Sequence, residues 1–590
     1  MPRVLPIGVD DFEDLRSEPD FLYVDKTRLL PDLFAPGHGS RHVFLARPRC
    51  FGKTLLLSTL EALFQGRREL FVGTWIGREG HWDWQRNLHP VLCLDMDLRG
   101  YDDAARLERD LSHMLVELGS DHGVEISAAV SPEFQLRDLL RKMARQAGRK
   151  VVVLVDEYDK VLTENLDRPE LLEPIQRIMR AFYGALKTSR RHVRFTFMTG
   201  ITRFARTGLF SGANHFVDLS FRGRFGTLLG FTQTELQDEA GLGTLVARGA
   251  DNLGCTRETL LAGLAHYYDG YRFSRKSEPV YNPFSLAGCL FDLQDPLESG
   301  RWTPDRLPCY WAASGTPLLL MRLLQTHGLS QAAIAVNHAP SVVEEVRLDI
   351  SQPNLAALMY QSGYLTRTWE DAPGTEAERE RLAFPNFEVE QAFAVSLREF
   401  LDNQAAAWRR QRPDRRHRWV EDIRQALTQR DAAVLQRKIE TYLRTFPYFL
   451  HRLPEAVRTV ADYEMYYQAL LHGCFSLVDG IVLHTEQATV AGRIDLVVEQ
   501  SNEVSIIALK VRGDAERALR QALTDNSGFP YQTTGKPVTV FGMHFDTERR
   551  IVTDCRHWHL GTYDHDTERW RHEPFALSLY ELNRLPPDEA

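Results

Sequence analysis

An apolar pentapeptide, HVFLA (42–46), runs directly into RPRCFGKT (47–54) and then into LLLSTLEALFQG (55–66). Unbroken apolarity, a basic glycine-containing turn and leucines at helical spacing follow one another without a spacer. That succession is a buried strand, a tight loop and a helix. In the helix Leu56, Leu60, Leu63 and Phe64 share one face, and Gly66 stands where a C-terminal cap is expected. Four more apolar runs recur downstream: VLCLDM (91–96), VVVLV (151–155), RFTFMTG (194–200) and FVDLSF (216–221). Their apolarity is continuous rather than alternating, which suits strands covered on both faces, as in a parallel sheet. EFQLRDLLRKMARQA (133–147) gives a second amphipathic helix between them. Strands alternating with helices predict a doubly wound α/β fold for the first half.

The loop carries chemistry. A P-loop reads GxxxxGK[ST]: backbone N–H groups cradle phosphates, the lysine reaches the β and γ oxygens, and the hydroxyl holds Mg²⁺. Gly52, Lys53 and Thr54 fit, whereas Arg47 occupies the first-glycine position. Taken alone, a loop containing a chance GKT is the alternative. The third strand closes on Asp156 and Glu157, where an ATPase places an acid for Mg²⁺ and a glutamate that polarises the attacking water. Two acids that merely open a helix are the plainer reading, and the GKT after the first strand argues against it. Thr199, at the end of the fourth strand, is expected to contact that water or the γ-phosphate. Arg203 and Arg206 beyond it are candidates to neutralise transition-state charge, in cis or across an interface, or else are salt-bridged surface residues.

LPIGVDDFEDL, FLYVDKTRLL and RPRCFGKTLLLSTLEALF together resemble the opening of the bacterial AAA-ATPase-like family, and TGITRFARTGLFSGANHFVDLSF, YYDGYRFS and YNPFSL fit it too. Members of that family read close to RPRRFGKT, so arginine at 47 is the family's own variant. Cys50 departs from it, at a position where a second arginine is common. The resemblance covers roughly residues 4–290 and implies a P-loop core of AAA+ type over 1–290. Arg47, Arg49, Gly52, Lys53, Thr54, Asp156, Thr199 and Arg203 are the expected nucleotide contacts. Thr54 and Asp156 would hold Mg²⁺ and Glu157 would be catalytic. ATP and Mg²⁺ are the implied cofactors, and the rings common among AAA+ relatives make a homo-oligomer an expectation.

The whole chain, at 590 residues, is too long for one core. Its formal charge of −9 argues against a nucleic-acid coat protein while leaving room for a local basic groove. Seven scattered cysteines without a CxxC pair suit a reducing cytoplasm. The start MPRVLPIGVDDF lacks the apolar core of a signal peptide, and no apolar run approaches the ~18 residues needed to span a bilayer, so no membrane partner is expected. Residues 291–450 read as a mainly helical middle region, with a short strand and turn at YQSGYLT (360–366) and a polar loop near 372–382. WRRQRPDRRHRW (408–419) sets Arg409, Arg410, Arg412, Arg415, Arg416 and Arg418 between two tryptophans. That composition suits phosphate contact and base stacking, or equally a solvated connection between helices.

From 451 to 590 the pattern changes. ADYEMYYQALLHGCFSLV is an amphipathic helix with Tyr463, Tyr466 or Tyr467, Leu470 and Leu471 inward. IVLHTEQAT, GRIDLVVEQ and VSIIALKV then form a meander, ERALRQAL a helix and PVTVFGMHF another strand. This α-β-β-β-α-β order resembles the PD-(D/E)XK (restriction-endonuclease-like) α/β domain found downstream of the same module. Metal-dependent phosphodiester cleavage needs carboxylates on adjacent strands to hold the ion and a lysine beside them to orient the nucleophile. The resemblance assigns Asp495 to the first carboxylate, Lys510 to the lysine, Glu464 to a helix-borne acid acting through water and Gln521 to the glutamine of the following helix. The second acid belongs at 508, on the same face as Lys510 because strand side chains alternate, and there the chain has Ala508. Losing that ligand while keeping the others predicts an intact frame with impaired cleavage. Natural variation and deliberate replacement both account for it, and an ordinary cross-strand Asp495–Lys510 pair is the plainer alternative. Cys555, His557, His559 and His565 have metal-ligand chemistry, but their spacing suits a strand better than a tetrahedral zinc site. The expectation is an ATP-dependent, Mg²⁺-dependent nuclease acting on DNA or RNA, with a bacterial defence role. The competing expectation is a regulatory ATPase whose nuclease-like domain binds nucleic acid without cutting it.

Overall fold

The computed structural model describes residues 4–34, 41–98, 103–165, 168–203, 216–296, 302–304, 307–311, 355–371, 378–393, 413–443, 467–468, 471–472, 474–475, 478, 481–488, 493–524, 531, 534–546, 551–564 and 569–570. They fall into two compact units, one of the described residues up to 393 and one of those from 413 on. The stretch 291–450, expected as a region of its own, is divided between them.

The first unit is built on a five-stranded sheet of β1 (His42–Ala46), β2 (Val91–Asp95), β3 (Val151–Asp156), β4 (Val193–Gly200) and β5 (Val217–Asp218). Its order is β2-β3-β4-β1-β5 and every pairing is parallel. All residues of β1 and β3 are buried, which is why these runs are apolar throughout. Helix α1 (Lys53–Phe64) packs on β2, β3 and β4, burying Leu56, Leu60, Leu63 and Phe64. It ends at Gly66 with φ +77°, a left-handed conformation that glycine adopts without strain. Helices α2 (Ala104–Asp121), α3 (Pro132–Gln146) and α4 (Pro169–Thr188) pack on one another, and α3 also touches β3. The strand expected over 216–221 is cut to two residues. Past Asp218 the Ser220 hydroxyl accepts from Ala46 N and the chain turns into a 3-10 segment at Gly223–Phe225.

Four helices follow, α5 (Gln233–Gln237), α6 (Leu242–Leu253), α7 (Arg257–Tyr268) and α8 (Pro283–Asp292). They share one apolar cluster, which also takes in Leu5 and Leu22 from the N-terminal segment. Thr232 and Glu235 form a capping box at the start of α5, and Glu235 also receives the half-buried ammonium of Lys26 at 2.9 Å. Helix α9 (Leu355–Ser362) and the antiparallel hairpin of β6 (Thr366–Asp371) and β7 (Glu378–Ala383) belong to this unit as well. YQSGYLT (360–366) spans the end of α9, a turn at Gly363 with φ +93° and the first residue of β6. Tyr271 OH donates to Gly363 O at 3.0 Å, and Asn386 Nδ2 to Asp269 O at 2.8 Å. These bonds across the chain tie the middle stretch to the first unit.

In the second unit α10 (Pro413–Thr428) and α11 (Ala432–Leu443) pair, and α11 packs against the outermost strand of a second sheet. That sheet holds β8 (Val482–Ala488), β9 (Arg493–Glu499), β10 (Val504–Lys510), β11 (Val538–Asp546) and β12 (Ile551–Gly561), in the order β12-β11-β10-β9-β8. β8, β9 and β10 are an antiparallel meander, α12 (Ala515–Thr524) crosses over, and β11 returns parallel to β10. The succession of three strands, a helix and a further strand is the one read from the sequence; the spatial order and the edge strand β12 are added by the structure. Tyr467 and Leu471, expected to face inward, are buried, and Tyr467 stacks on Phe545 with ring centroids 4.3 Å apart. Tyr463, Glu464, Tyr466 and Leu470 lie outside the described residues. Trp419 does not offer a face for base stacking: it is buried, and its Nε1 donates to Lys438 O at 3.0 Å, joining α10 to α11. No helix of the described residues is long and apolar enough to cross a membrane.

Candidate nucleotide and nuclease-like sites

β1 ends at Ala46 and α1 starts at Lys53, so residues 47–52 must reverse direction between a sheet and a helix. Cys50 and Gly52 do so in the left-handed region, at φ +60° and +84°. The first-turn N–H groups of α1 have no intrahelical acceptor and carry the positive end of the helix dipole, an arrangement that favours an anion. The Lys53 ammonium is buried and donates across the loop to Pro48 O at 3.1 Å. Thr54 Oγ1 donates to Asp156 Oδ2 at 2.7 Å, joining α1 to the end of β3. Burial pushes the Asp156 carboxyl above its ordinary range, against the Thr54 hydrogen bond and the charge of Lys53. Glu157 follows at φ +50°, an uncommon conformation for a side chain that is not glycine, and its N–H donates to Asp156 Oδ1 at 2.9 Å.

Cys50, Gly52, Lys53, Thr54 and Glu157 line a cavity of about 500 Å³, within the range of small-molecule sites, and Asp156 reaches it through Thr54. Its charged lining residues are Asp10, Arg49, Lys53, Glu157 and Lys160, with Thr54 and Gly52 beside them. Much of the remaining lining is apolar, from Leu5 to Val9, Leu22, Val24, Phe231, Pro283 and Phe284. Two hard oxygen donors, Thr54 Oγ1 and Asp156 Oδ2, beside a phosphate-sized cradle fit Mg²⁺, which takes few protein ligands and completes its shell with water and phosphate oxygens.

Three of the expected nucleotide contacts point elsewhere. Arg47 is 1% exposed; its Nη1 donates to Ala46 O and Ser220 O, its Nη2 to Phe225 O, and it lies 3.8 Å over the Phe273 ring. With no side chain of its own, the first glycine of an ordinary P-loop could not make this stitch. Arg47 fastens the root of the loop to the segment after β5. Thr199 is buried, and its hydroxyl donates to Leu45 O at 2.7 Å, closing β4 on β1. Arg203 is buried, its Nε and Nη2 bound to Asp218 and its guanidinium 3.9 Å over Phe221. It is therefore committed within the chain. Arg206 lies outside the described residues. Conversely, Lys160 and the apolar wall had no assigned role. Lys160 stands three residues after Glu157, where the turn that follows β3 passes into a short helix, and its nearness in sequence to Glu157 was the available signal.

In the second unit the paired β9–β10 register runs to Leu496↔Ile507. Extended by one residue, it brings the main chain of Asp495 beside that of Ala508. Ala508 and Lys510 are the two half-buried positions of β10, on the same face of the strand. That face meets α12, and Ala508 packs at the margin of a cluster of Val504, Ile506, Leu519 and Leu523. Its partner on β11 is Gly542, where a Cβ would run into the Ala515 carbonyl and Leu519 of α12. Gln521 is exposed on α12. Glu464 lies outside the described residues. Ala508 offers no donor, so the described side chains here do not fit a metal ion. His559 Nδ1 is engaged with Thr539 Oγ1 at 2.9 Å and Cys555 is buried, and no group of three metal-ligand side chains occurs among the described residues.

Residues 6–210 match the Predicted AAA-ATPase family, and residues 462–555 match the PD-(D/E)XK nuclease superfamily. An Azotobacter chroococcum mcd 1 protein, described as the uncharacterized protein in the vnfD 5' region, is 32% identical over 557 residues, spanning 93% of this chain and 98% of that one. Among solved structures, Aeropyrum pernix ORC2 in ADPNP–ADP complexes shares 11% identity at a TM-score of 0.31, over 67% of this chain and 99% of its own. Aeropyrum pernix ORC1 in complex with DNA shares 13% at 0.25, over 65% and 96%.

Proposed function

Because the chain belongs to the family of predicted AAA-ATPases that carry a C-terminal PD-(D/E)XK nuclease-superfamily domain, we propose that it binds and hydrolyses ATP at the Lys53–Thr54–Asp156–Glu157 site and that this turnover governs its C-terminal domain on nucleic acid, DNA in the first instance. The observation that carries the nucleotide reading is the 2.7 Å hydrogen bond from Thr54 to Asp156. It brings together, from two elements, the hydroxyl and carboxylate that would share Mg²⁺. The metal, when bound, supplies charge neutralisation at the β and γ phosphates. Lys53 leaves Pro48 O for those oxygens, the first-turn N–H groups of α1 hold them in place, and Glu157 takes the proton of the attacking water. The apolar wall around Val9 and Phe231 accepts the base. We place the protein in the cytoplasm, as a homo-oligomer with a role in bacterial defence.

For the C-terminal domain the reading is a nuclease frame, with Asp495, Lys510 and Glu464 as its site, in which Ala508 leaves cleavage impaired. The second reading, a regulatory ATPase that holds nucleic acid without cutting it, is favoured by the packing of Ala508 against the α12 cluster. One experiment separates them. The chain and its Ala508→Glu variant are incubated with plasmid and single-stranded DNA, with Mg²⁺, and with or without ATP. Cleavage by the variant alone supports the nuclease frame; binding without cleavage by both supports the regulatory reading. Loss of ATP turnover in Lys53→Ala is expected under either, and unchanged turnover would remove the nucleotide site from both.

A further inference from the structure

The cavity beside α1 contains more positive charge than the phosphate-binding loop alone provides. Arg49 and Lys53 belong to that loop, but Lys160 comes from the turn that carries Glu157, and its N–H donates to Glu157 O at 2.9 Å. The Lys160 ammonium is held 2.5 Å from Asp97 Oδ1, just beyond the end of β2. The two side chains are 12% and 28% exposed, so the pair is only partly screened by water, and its ammonium can leave Asp97 only for another anion that takes its place. Of the two arginines expected to meet developing charge, Arg203 is committed to Asp218 and Phe221, and Arg206 lies outside the described residues. Among the described residues Lys160 is a cation of the cavity lining that stands on the same turn as Glu157, where the outermost phosphate of a triphosphate would lie beside the attacking water.

We propose that Lys160 contacts the terminal phosphate of a bound nucleoside triphosphate, giving up Asp97 to do so, and that the Asp97–Lys160 pair thereby distinguishes triphosphate from diphosphate. The exchange moves one ammonium between two oxyanions, and no covalent bond changes. With a diphosphate the lysine stays on Asp97 and tethers the end of β2 to the turn after β3. With a triphosphate the tether opens, so the number of phosphates is converted into whether Asp97 is held to the turn after β3. This inference rests on the nucleotide reading of the site.

The test is the affinity of the full-length chain for mant-ADP and for a non-hydrolysable mant-ATP analogue, by fluorescence anisotropy with Mg²⁺ present. Lys160→Met is expected to weaken the triphosphate by about tenfold or more, the scale of one lost charge-assisted hydrogen bond, and to leave the diphosphate within about twofold. Lys160→Arg should restore part of the difference. Asp97→Asn, which removes the competing anion, should shift preference towards the triphosphate. Unchanged diphosphate binding also reports that each variant is folded. If Lys160→Met altered both nucleotides alike or neither, Lys160 would be a strut between β2 and β3 and the proposal would fall. Lys53→Ala separates the two levels: if it changed neither affinity, the nucleotide reading itself would fail.

Discussion

Replacing Arg47 tests whether the first residue of the loop is a phosphate ligand, as its place in the motif suggests, or a structural tie. In Arg47→Ala three buried carbonyls, of Ala46, Ser220 and Phe225, lose donors at 2.8, 3.0 and 2.9 Å, and the Phe273 ring loses a cation 3.8 Å from its centroid. A hydrogen bond to a charged group contributes roughly 1.5–3 kcal/mol. Three on one side chain do not add in full, and desolvating the cation has already cost part of that energy; burial lowers the Arg47 pKa to about 10. The net loss expected is about 3–5 kcal/mol, or about two to three and a half orders of magnitude in the unfolding equilibrium. Arg47→Lys should recover little of it, because an ammonium cannot reproduce the planar fork. Urea unfolding of the chain measures the loss, and mant-ADP affinity under conditions where the variant is folded measures the alternative. Stability unchanged to within about 1 kcal/mol, together with abolished nucleotide binding, would make Arg47 a phosphate ligand and refute the assignment.

Thr199→Val should cost about 1 kcal/mol in stability, the worth of one neutral hydrogen bond, with ATP turnover per folded molecule unchanged; a collapse of turnover would return Thr199 to the catalytic group. Glu388 is fully buried, accepting from Tyr310 N and Trp311 N, and burial pushes its carboxyl up to about 7. A folded-state value above the unfolded one means stability present at low pH and lost as pH rises through about 7, so thermal scans from pH 5 to 8 should show a decline that Glu388→Gln flattens. In Gly542→Ala the new methyl meets the Ala515 carbonyl and Leu519, and the shift of α12 should cost about 1–3 kcal/mol by chemical denaturation; a neutral result would mean that helix and sheet part more easily than their packing implies.

The elements most legible in the sequence are those whose environment is uniform along their length. β1 to β4 fall within a residue or two of their apolar runs, since strands covered on both faces have no polar positions to blur their ends. The order of the C-terminal meander, helix and returning strand was equally open to reading. What stayed hidden depends on distant partners. A motif fixes that Arg47 lies in the loop, but the direction of its side chain is decided by carbonyls more than 170 residues away at Ser220 and Phe225. The same holds for Trp419, which found its acceptor on the next helix, and for the middle stretch, whose bonds to Asp269 and Tyr271 assign it to the first unit. Lys160 was visible as a residue, while its pairing with Asp97 required the strand order.

Lys53 and Thr54 already have acceptors within the protein, Pro48 O and the Asp156 carboxylate. A nucleotide arriving there trades one set of bonds for another, so the number of bonds formed is a poor guide to affinity. The heat of binding at these two side chains should be small, with the drive left to helix-end N–H groups, metal and the burial of the base. On the proposed nucleotide reading, the internal acceptors also act as a template: they would hold ammonium and hydroxyl near their working positions between turnovers, so that the loop need not be rebuilt each time product departs.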